Sequence, residues 1–160
     1  MKDDRSSGFY WTLMWVYMGA TLFLVALLVS AIVDPELRVL HCFQALIYVA
    51  VIVLARRNSP WGYGAGFAIA IVWNGMNVFG PHLIQAGAVA FWSWLRTGHA
   101  QQLVPMMVTL GGLGHFILIF ATLMAILRHN PETRKWWKFA GGGVLAVAYL
   151  ALLVAFALPH

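Results

Sequence analysis

The chain has 160 residues, of which 62% are hydrophobic and only 9% are charged, and its formal net charge is +5. A soluble domain carries about 25% charged residues, so this composition excludes a water-soluble fold and makes lipid the solvent of most of the surface. Because a transmembrane helix needs about 20 apolar residues, we predict an all-α, polytopic membrane protein. Residues 1–160 are expected to form a single transmembrane helical bundle.

Five apolar runs follow one another along the chain, separated by turns that contain proline, glycine or charged residues. The first run is longer than the apolar core of a signal peptide, so we interpret it as a retained span. The predicted transmembrane helices cover about residues 9–33, 37–55, 61–79, 103–127 and 139–158.

The stretch between the third and fourth predicted spans has two interpretations. It follows Gly80-Pro81, and residues 82–95 are apolar but too few to cross a bilayer. Trp92 and Trp94 favour a helix that lies in the membrane interface, since tryptophan is enriched at that depth. A re-entrant segment is the alternative.

The basic residues predict the orientation of the bundle. With five crossings, Arg38 and Arg96 fall on one side and the other eight of the ten basic residues fall on the opposite side. The positive-inside rule then places the N-terminus in the cytoplasm and the C-terminus outside, in what we expect to be a bacterial cytoplasmic membrane. A full crossing by residues 82–95 would abolish this bias.

His115 is the most unusual residue of the fourth span, because no charged residue lies between Ala100 and Leu127. Gly111, His115 and Thr122 share one helical face. Glycine on that face allows a neighbouring helix to approach closely. We therefore expect His115 to face protein rather than lipid.

Small and polar residues also recur along the second and third spans. Gly62, Gly66 and Ala70 recur every four residues, which predicts a helix-packing face. At about 1.5 Å per residue, Tyr48 and Asn74 lie at a depth similar to that of His115. The candidate ligand- or cofactor-binding residues are His115, Asn74, Tyr48, Asn77, Gln44, Trp73, His41 and His82.

These residues are compatible with three interpretations. Polar groups inside a membrane often serve only as contacts between helices. Haem b would need two axial histidines at one depth, whereas His41 and His82 lie about one to two turns nearer the outer face than His115. A quinone needs only one or two hydrogen-bonding groups and an aromatic slot, for which Tyr48 and Asn74 are placed suitably.

Other chemistry has little support in the sequence. No two histidines have the spacing of a helical metal site, so we predict no metal. Cys42 is expected to be a small buried residue near a membrane face. No span contains a carboxylate of the kind that couples ions to transport, and we find no hydrolase, metalloprotease or phosphate-binding motif.

The sequence thus favours a small accessory or structural subunit of a larger membrane protein complex, without catalytic activity. A quinone- or haem-binding subunit of an electron-transfer complex is the first alternative, and a small oligomeric transporter is the second. The expected partners are the lipid bilayer and other membrane subunits or further copies of the chain. Nucleic acid is not expected, because the basic residues lie at the ends of apolar runs.

Overall fold

A computed structural model describes residues 3–79, 83–99, 103–128 and 135–157, and every regular element in these ranges is helical. The α-helices are α1 (Asp3–Val33), α2 (Arg38–Arg56), α3 (Pro60–Phe79), α4 (Leu83–Thr97), α5 (Leu103–Arg128) and α6 (Trp136–Ala157), with a 3₁₀ turn at Pro35–Leu37. The predicted all-α class is confirmed.

Among the described residues, four stretches are long and apolar enough to cross a membrane, which indicates an integral membrane protein. Their outward faces carry large apolar side chains such as Ile32, Phe120 and Phe156. These four stretches are Tyr10–Val33, Pro35–Arg56, Leu103–Arg128 and Trp136–Ala157. Helix α3 has 20 residues, but its glycines, tryptophans and asparagines lower its mean hydropathy below that of the four membrane-spanning candidates.

A tight polar turn reverses the chain between α1 and α2. The backbone N–H of Asp34 donates to the carbonyl of Ser30, and the Asp34 carboxylate accepts from the N–H of Glu36 at 3.1 Å. Nε of Arg38 donates to the carbonyl of Ala31, also at 3.1 Å. Because these bonds satisfy groups at both helix ends, α1 and α2 form an antiparallel hairpin.

Helices α1 and α5 also run antiparallel, in close contact. At one end, Nη1 of Arg128 donates to the hydroxyl of Thr12 at 2.7 Å, and towards the other end Gly111 lies against Phe23. Between them, Gly19 and Gly114 face each other so closely that a Cβ on either residue would lie within 2.8 Å of the other's carbonyl oxygen. The two backbones therefore touch directly, as small residues permit.

Helix α3 packs extensively against α2, α5 and α6. Gly66 packs against Val51 of α2 and Thr122 of α5, and a side chain at Gly64 would overlap the carbonyl of Phe139 in α6. The predicted small-residue face of this helix is thus a packing face, as Gly66 and the fully buried Ala70 show.

Helix α4 packs on the first turns of α5, where Gly87 lies against the backbone of Pro105 and the side chain of Thr109. Its other sides are largely exposed, and the guanidinium of Arg96 lies 5.0 Å from the ring centre of Trp92. The predicted break at residues 80–81 lies outside the described residues.

Helix α1 begins at Asp3, and its apolar stretch Tyr10–Val33 corresponds to the first predicted span. One expectation needs correction. The prediction that Cys42 is buried was wrong, because the residue is exposed. It lies on the outward face of α2 with Val39 and Leu46.

Candidate functional site

The centre of the bundle contains a hydrogen bond between α2 and α5. Oη of Tyr48 lies 2.7 Å from Nε2 of His115. His115 is 0% exposed and Tyr48 is 1% exposed. A neutral imidazole carries its proton on one ring nitrogen, so Tyr48 donates to His115 when Nδ1 holds that proton.

Aromatic rings enclose this pair. The ring of Phe23 stacks on the imidazole of His115 with centroids 3.9 Å apart and an interplanar angle of 21°, and it also lies 4.5 Å from the ring of Tyr48. Trp73 meets the imidazole edge-on at 4.8 Å. We call Phe23, Tyr48, Trp73 and His115 the aromatic cluster, and it draws one residue from each of α1, α2, α3 and α5.

Glycines explain why Phe23 can reach the imidazole. A Cβ on Gly111 would lie 2.9 Å from the Phe23 ring, and a Cβ on Gly114 would lie 3.0 Å from the side chain of Leu22. Because neither glycine has a side chain, α1 lies close enough to α5 for Phe23 to cover His115. Sequence reasoning predicted the packing role of the glycines but missed Phe23, since a phenylalanine in an apolar run resembles any lipid-facing residue.

Two polar groups in this region lack hydrogen-bond partners among the described residues. Asn74 is 5% exposed, yet neither Oδ1 nor Nδ2 of its amide has a partner, and Nδ1 of His115 is also unpaired. A buried polar group without a partner costs about 1–3 kcal/mol. Such groups mark a place where water or a polar ligand atom would be held.

The remaining candidate residues have different surroundings. Nδ2 of Asn77 donates to the carbonyl of Trp73 within α3, at 2.9 Å. His41 and Gln44 are partly buried near the start of α2, and within the described ranges no hydrogen bond or ring contact joins them to the aromatic cluster. His82 lies outside the described residues.

The geometry can be compared with what haem or a metal would require. Bis-histidine haem needs two histidines on opposite sides of the iron, but Nε2 of His115 faces Tyr48 at 2.7 Å, which leaves no space for iron. Among the residues that the structure describes, no three histidine, cysteine, aspartate or glutamate side chains are placed to hold a metal ion.

Apolar grooves open between the described helices at the sides of the bundle. The α1–α5 groove has a volume of about 590 Å³ and is lined by Trp11, Thr12, Trp15, Phe116, Ile117, Phe120, Ala121, Met124 and Arg128. A smaller groove of about 300 Å³ lies between α2, α3 and α6 and includes Leu46, Trp61 and Tyr149. Neither groove is lined by Tyr48 or His115.

Similarity to known proteins does not narrow the role of this bundle. No family model, no curated protein and no solved structure matches the chain. The functional inferences below therefore rest on the geometry of the described residues.

Proposed function

We propose that the chain is a non-catalytic integral membrane protein that serves as an accessory or structural subunit of a larger membrane complex. The observation that carries this proposal is the enclosure of His115, which is 0% exposed, bonded to Tyr48 and covered by Phe23. A histidine that moves protons in a reaction must reach a substrate or a water molecule. This enclosure favours a structural role and disfavours proton transport through His115.

In this role the aromatic cluster holds four helices in one arrangement. Interhelical hydrogen bonds in membranes average about 0.6 kcal/mol and reach about 1.7 kcal/mol. Aromatic pairs add about 0.5–1.5 kcal/mol each, and Phe23 takes part in three ring contacts. Contacts of this kind suit a rigid scaffold better than a moving transporter.

The direction of the helices supports a fifth membrane crossing, by α3. Thr12 lies in the N-terminal half of α1, and α2 returns to that end of the bundle. Helix α5 finishes there too, because Arg128 contacts Thr12. The chain between α2 and α5 must therefore return to the opposite end of the bundle. With 20 residues and about 1.5 Å per residue, α3 spans about 30 Å, which matches the hydrocarbon core.

The environment of α4 supports an interfacial location. Its 15 residues extend about 22 Å at 1.5 Å per residue, which is less than the hydrocarbon core. Trp92 is exposed and carries Arg96 over its ring, as is typical of a helix at the membrane surface. With this arrangement, the distribution of the basic residues supports a cytoplasmic N-terminus.

A quinone-binding subunit is the second candidate, and one observation favours it. The amide of Asn74 and Nδ1 of His115 are both buried and unpaired among the described residues, and Trp73 next to Asn74 contacts the imidazole. A quinone carbonyl would accept a hydrogen bond from the Asn74 amide. Organic extraction of the purified protein tests this: quinone retained by the wild type and by Gly75→Ala but lost from Asn74→Leu would favour it over the scaffold.

Co-purification tests the scaffold role. A tagged full-length chain should be purified from its own membranes in mild detergent, and proteins bound to it should be identified by mass spectrometry. The proposal predicts a reproducible set of membrane subunits at fixed stoichiometry. A monodisperse chain without bound proteins would contradict it. An absorbance spectrum of the same sample tests haem, because haem would give a Soret band.

A further inference from the structure

The α1–α5 groove is apolar but has a basic residue, Arg128, in its lining, which the scaffold role does not explain. Most of its lining is apolar and aromatic, including Trp11, Trp15 and Phe120, and these three side chains are exposed. Arg128 and Thr12 line one end of it. The groove therefore combines a long apolar surface with one positive charge at the end of a membrane-embedded helix.

The guanidinium of Arg128 has a fixed position in this groove. Its Nη1 donates to the hydroxyl of Thr12 at 2.7 Å, and Thr12 is buried between the helices. Arg128 is the last residue of α5, and Thr12 lies beside exposed Trp11, a residue type enriched at the membrane interface. Since Arg128 ends a stretch long enough to cross a membrane, its charge would lie at head-group depth.

We propose that the α1–α5 groove binds an anionic phospholipid, with the phosphate at Arg128 and an acyl chain along Trp15 and Phe120. A planar guanidinium matches phosphate oxygens well, and basic pockets between transmembrane helices suit anionic head groups. This site does not depend on the accessory role of the protein.

The head group should provide the selectivity. An acyl chain gains little by moving from the bilayer into a groove, because lipid tails are as apolar as the lining. One basic residue near an anionic surface contributes about 1 kcal/mol, which corresponds to a preference of about fivefold. A partner helix would have to cover Arg128 and remove its hydration, which costs free energy, so lipid is the favoured occupant.

Native mass spectrometry of the full-length chain can test the site. The protein is purified in detergent and incubated with dioleoylphosphatidylglycerol or with dioleoylphosphatidylcholine. We expect the wild type to retain the anionic lipid about five times better than the neutral one. Arg128→Gln should lose this preference, and Arg128→Lys should restore most of it. Lys138 is a basic residue of α6 beside Trp137, and Lys138→Gln should leave the preference unchanged.

Several outcomes would overturn the proposal. Equal retention of the two lipids by the wild type would do so, as would an unchanged preference in Arg128→Gln. Competition by inorganic phosphate alone would point to a free anion rather than a lipid. A purified dimer that Phe120→Ala dissociates would instead identify a second copy as the occupant.

A second measurement keeps the test decisive if Arg128→Gln does not fold. Lipids with brominated acyl chains quench nearby tryptophans, and Trp11 and Trp15 line the groove. In the wild type, brominated phosphatidylglycerol should quench more strongly than brominated phosphatidylcholine. The difference should disappear in Trp11→Phe/Trp15→Phe, and equal quenching of the wild type by both lipids would refute the site.

Discussion

Tyr48 and His115 are 67 positions apart in the sequence and share a hydrogen bond of 2.7 Å in the middle of the bundle. The bond joins α2 to α5, and Phe23 of α1 stacks on the same imidazole. The most polar face of α5 is therefore directed into contacts with other helices. This relationship supports the structural role proposed for the chain.

Removing the hydroxyl of Tyr48 should destabilise the bundle measurably. Tyr48→Phe leaves Nε2 of His115 buried without its partner, and we expect the free energy of unfolding to fall by about 0.6–1.7 kcal/mol. Unfolding by sodium dodecyl sulfate in mixed micelles, followed by circular dichroism, measures this. Tyr149→Phe is the matched control, because that hydroxyl donates to Phe43 at an exposed site. An equal loss in both variants would contradict the prediction.

The contact between α3 and α6 should not tolerate a methyl group. In Gly64→Ala the new Cβ would overlap the carbonyl of Phe139, so we expect a loss of about 1–3 kcal/mol from overpacking. Gly75→Ala on the same helix meets nothing within 4 Å and should leave stability unchanged or slightly higher. The same detergent titration separates the two variants. Similar stability of both would show that the helices are not this close.

Asn74 gives a prediction of the opposite sign. Its buried amide has no partner among the described residues, and an unpaired buried polar group costs about 1–3 kcal/mol. When no ligand is bound to the Asn74 amide, Asn74→Leu removes this cost and should be at least as stable as the wild type. A fall in the free energy of unfolding of more than about 1 kcal/mol would indicate that the amide has a bound partner, and would favour the quinone alternative.

The proposed crossing by α3 can be tested with introduced cysteines. Cys42 is exposed, so it is first replaced by alanine. Five crossings place Ser59, before α3, and His99, after α4, on opposite sides of the membrane. We therefore expect a membrane-impermeant maleimide to label His99→Cys in whole cells and Ser59→Cys only after permeabilisation. Labelling of both from one side would contradict five crossings.

Hydrophobic runs and turn residues predict an all-helical chain, and the described residues are helical. The turn at Asp34-Pro35-Glu36 and the basic pair at Arg56 mark real helix ends, because lipid-embedded helices require long apolar runs. Counting residues by depth brought Tyr48 within reach of His115, and these two side chains do form a hydrogen bond. The depth of a residue along a helix follows directly from its sequence position, because each residue adds about 1.5 Å.

Contacts around the helix axis were harder to predict. The apolar sequences of α1 and α5 give no sign that Phe23 of α1 covers His115 while Phe120 of α5 faces outward, since lipid and protein interior are equally apolar. The exposure of Cys42 was missed for the same reason. Which helices meet depends on close approaches such as Gly19 against Gly114, and these are set by the whole bundle rather than by one segment.

The most direct test of the proposed function removes the buried polar pair and asks whether the complex remains. The tagged wild type and the double variant Tyr48→Phe/His115→Leu are purified from their own membranes in mild detergent, and their bound subunits are compared by mass spectrometry. The scaffold role predicts the same subunits at the same stoichiometry in both samples, because replacing both partners by apolar groups leaves no unpaired group. A wild-type chain without bound subunits, or a double variant that keeps its subunits but loses a bound quinone, would contradict it.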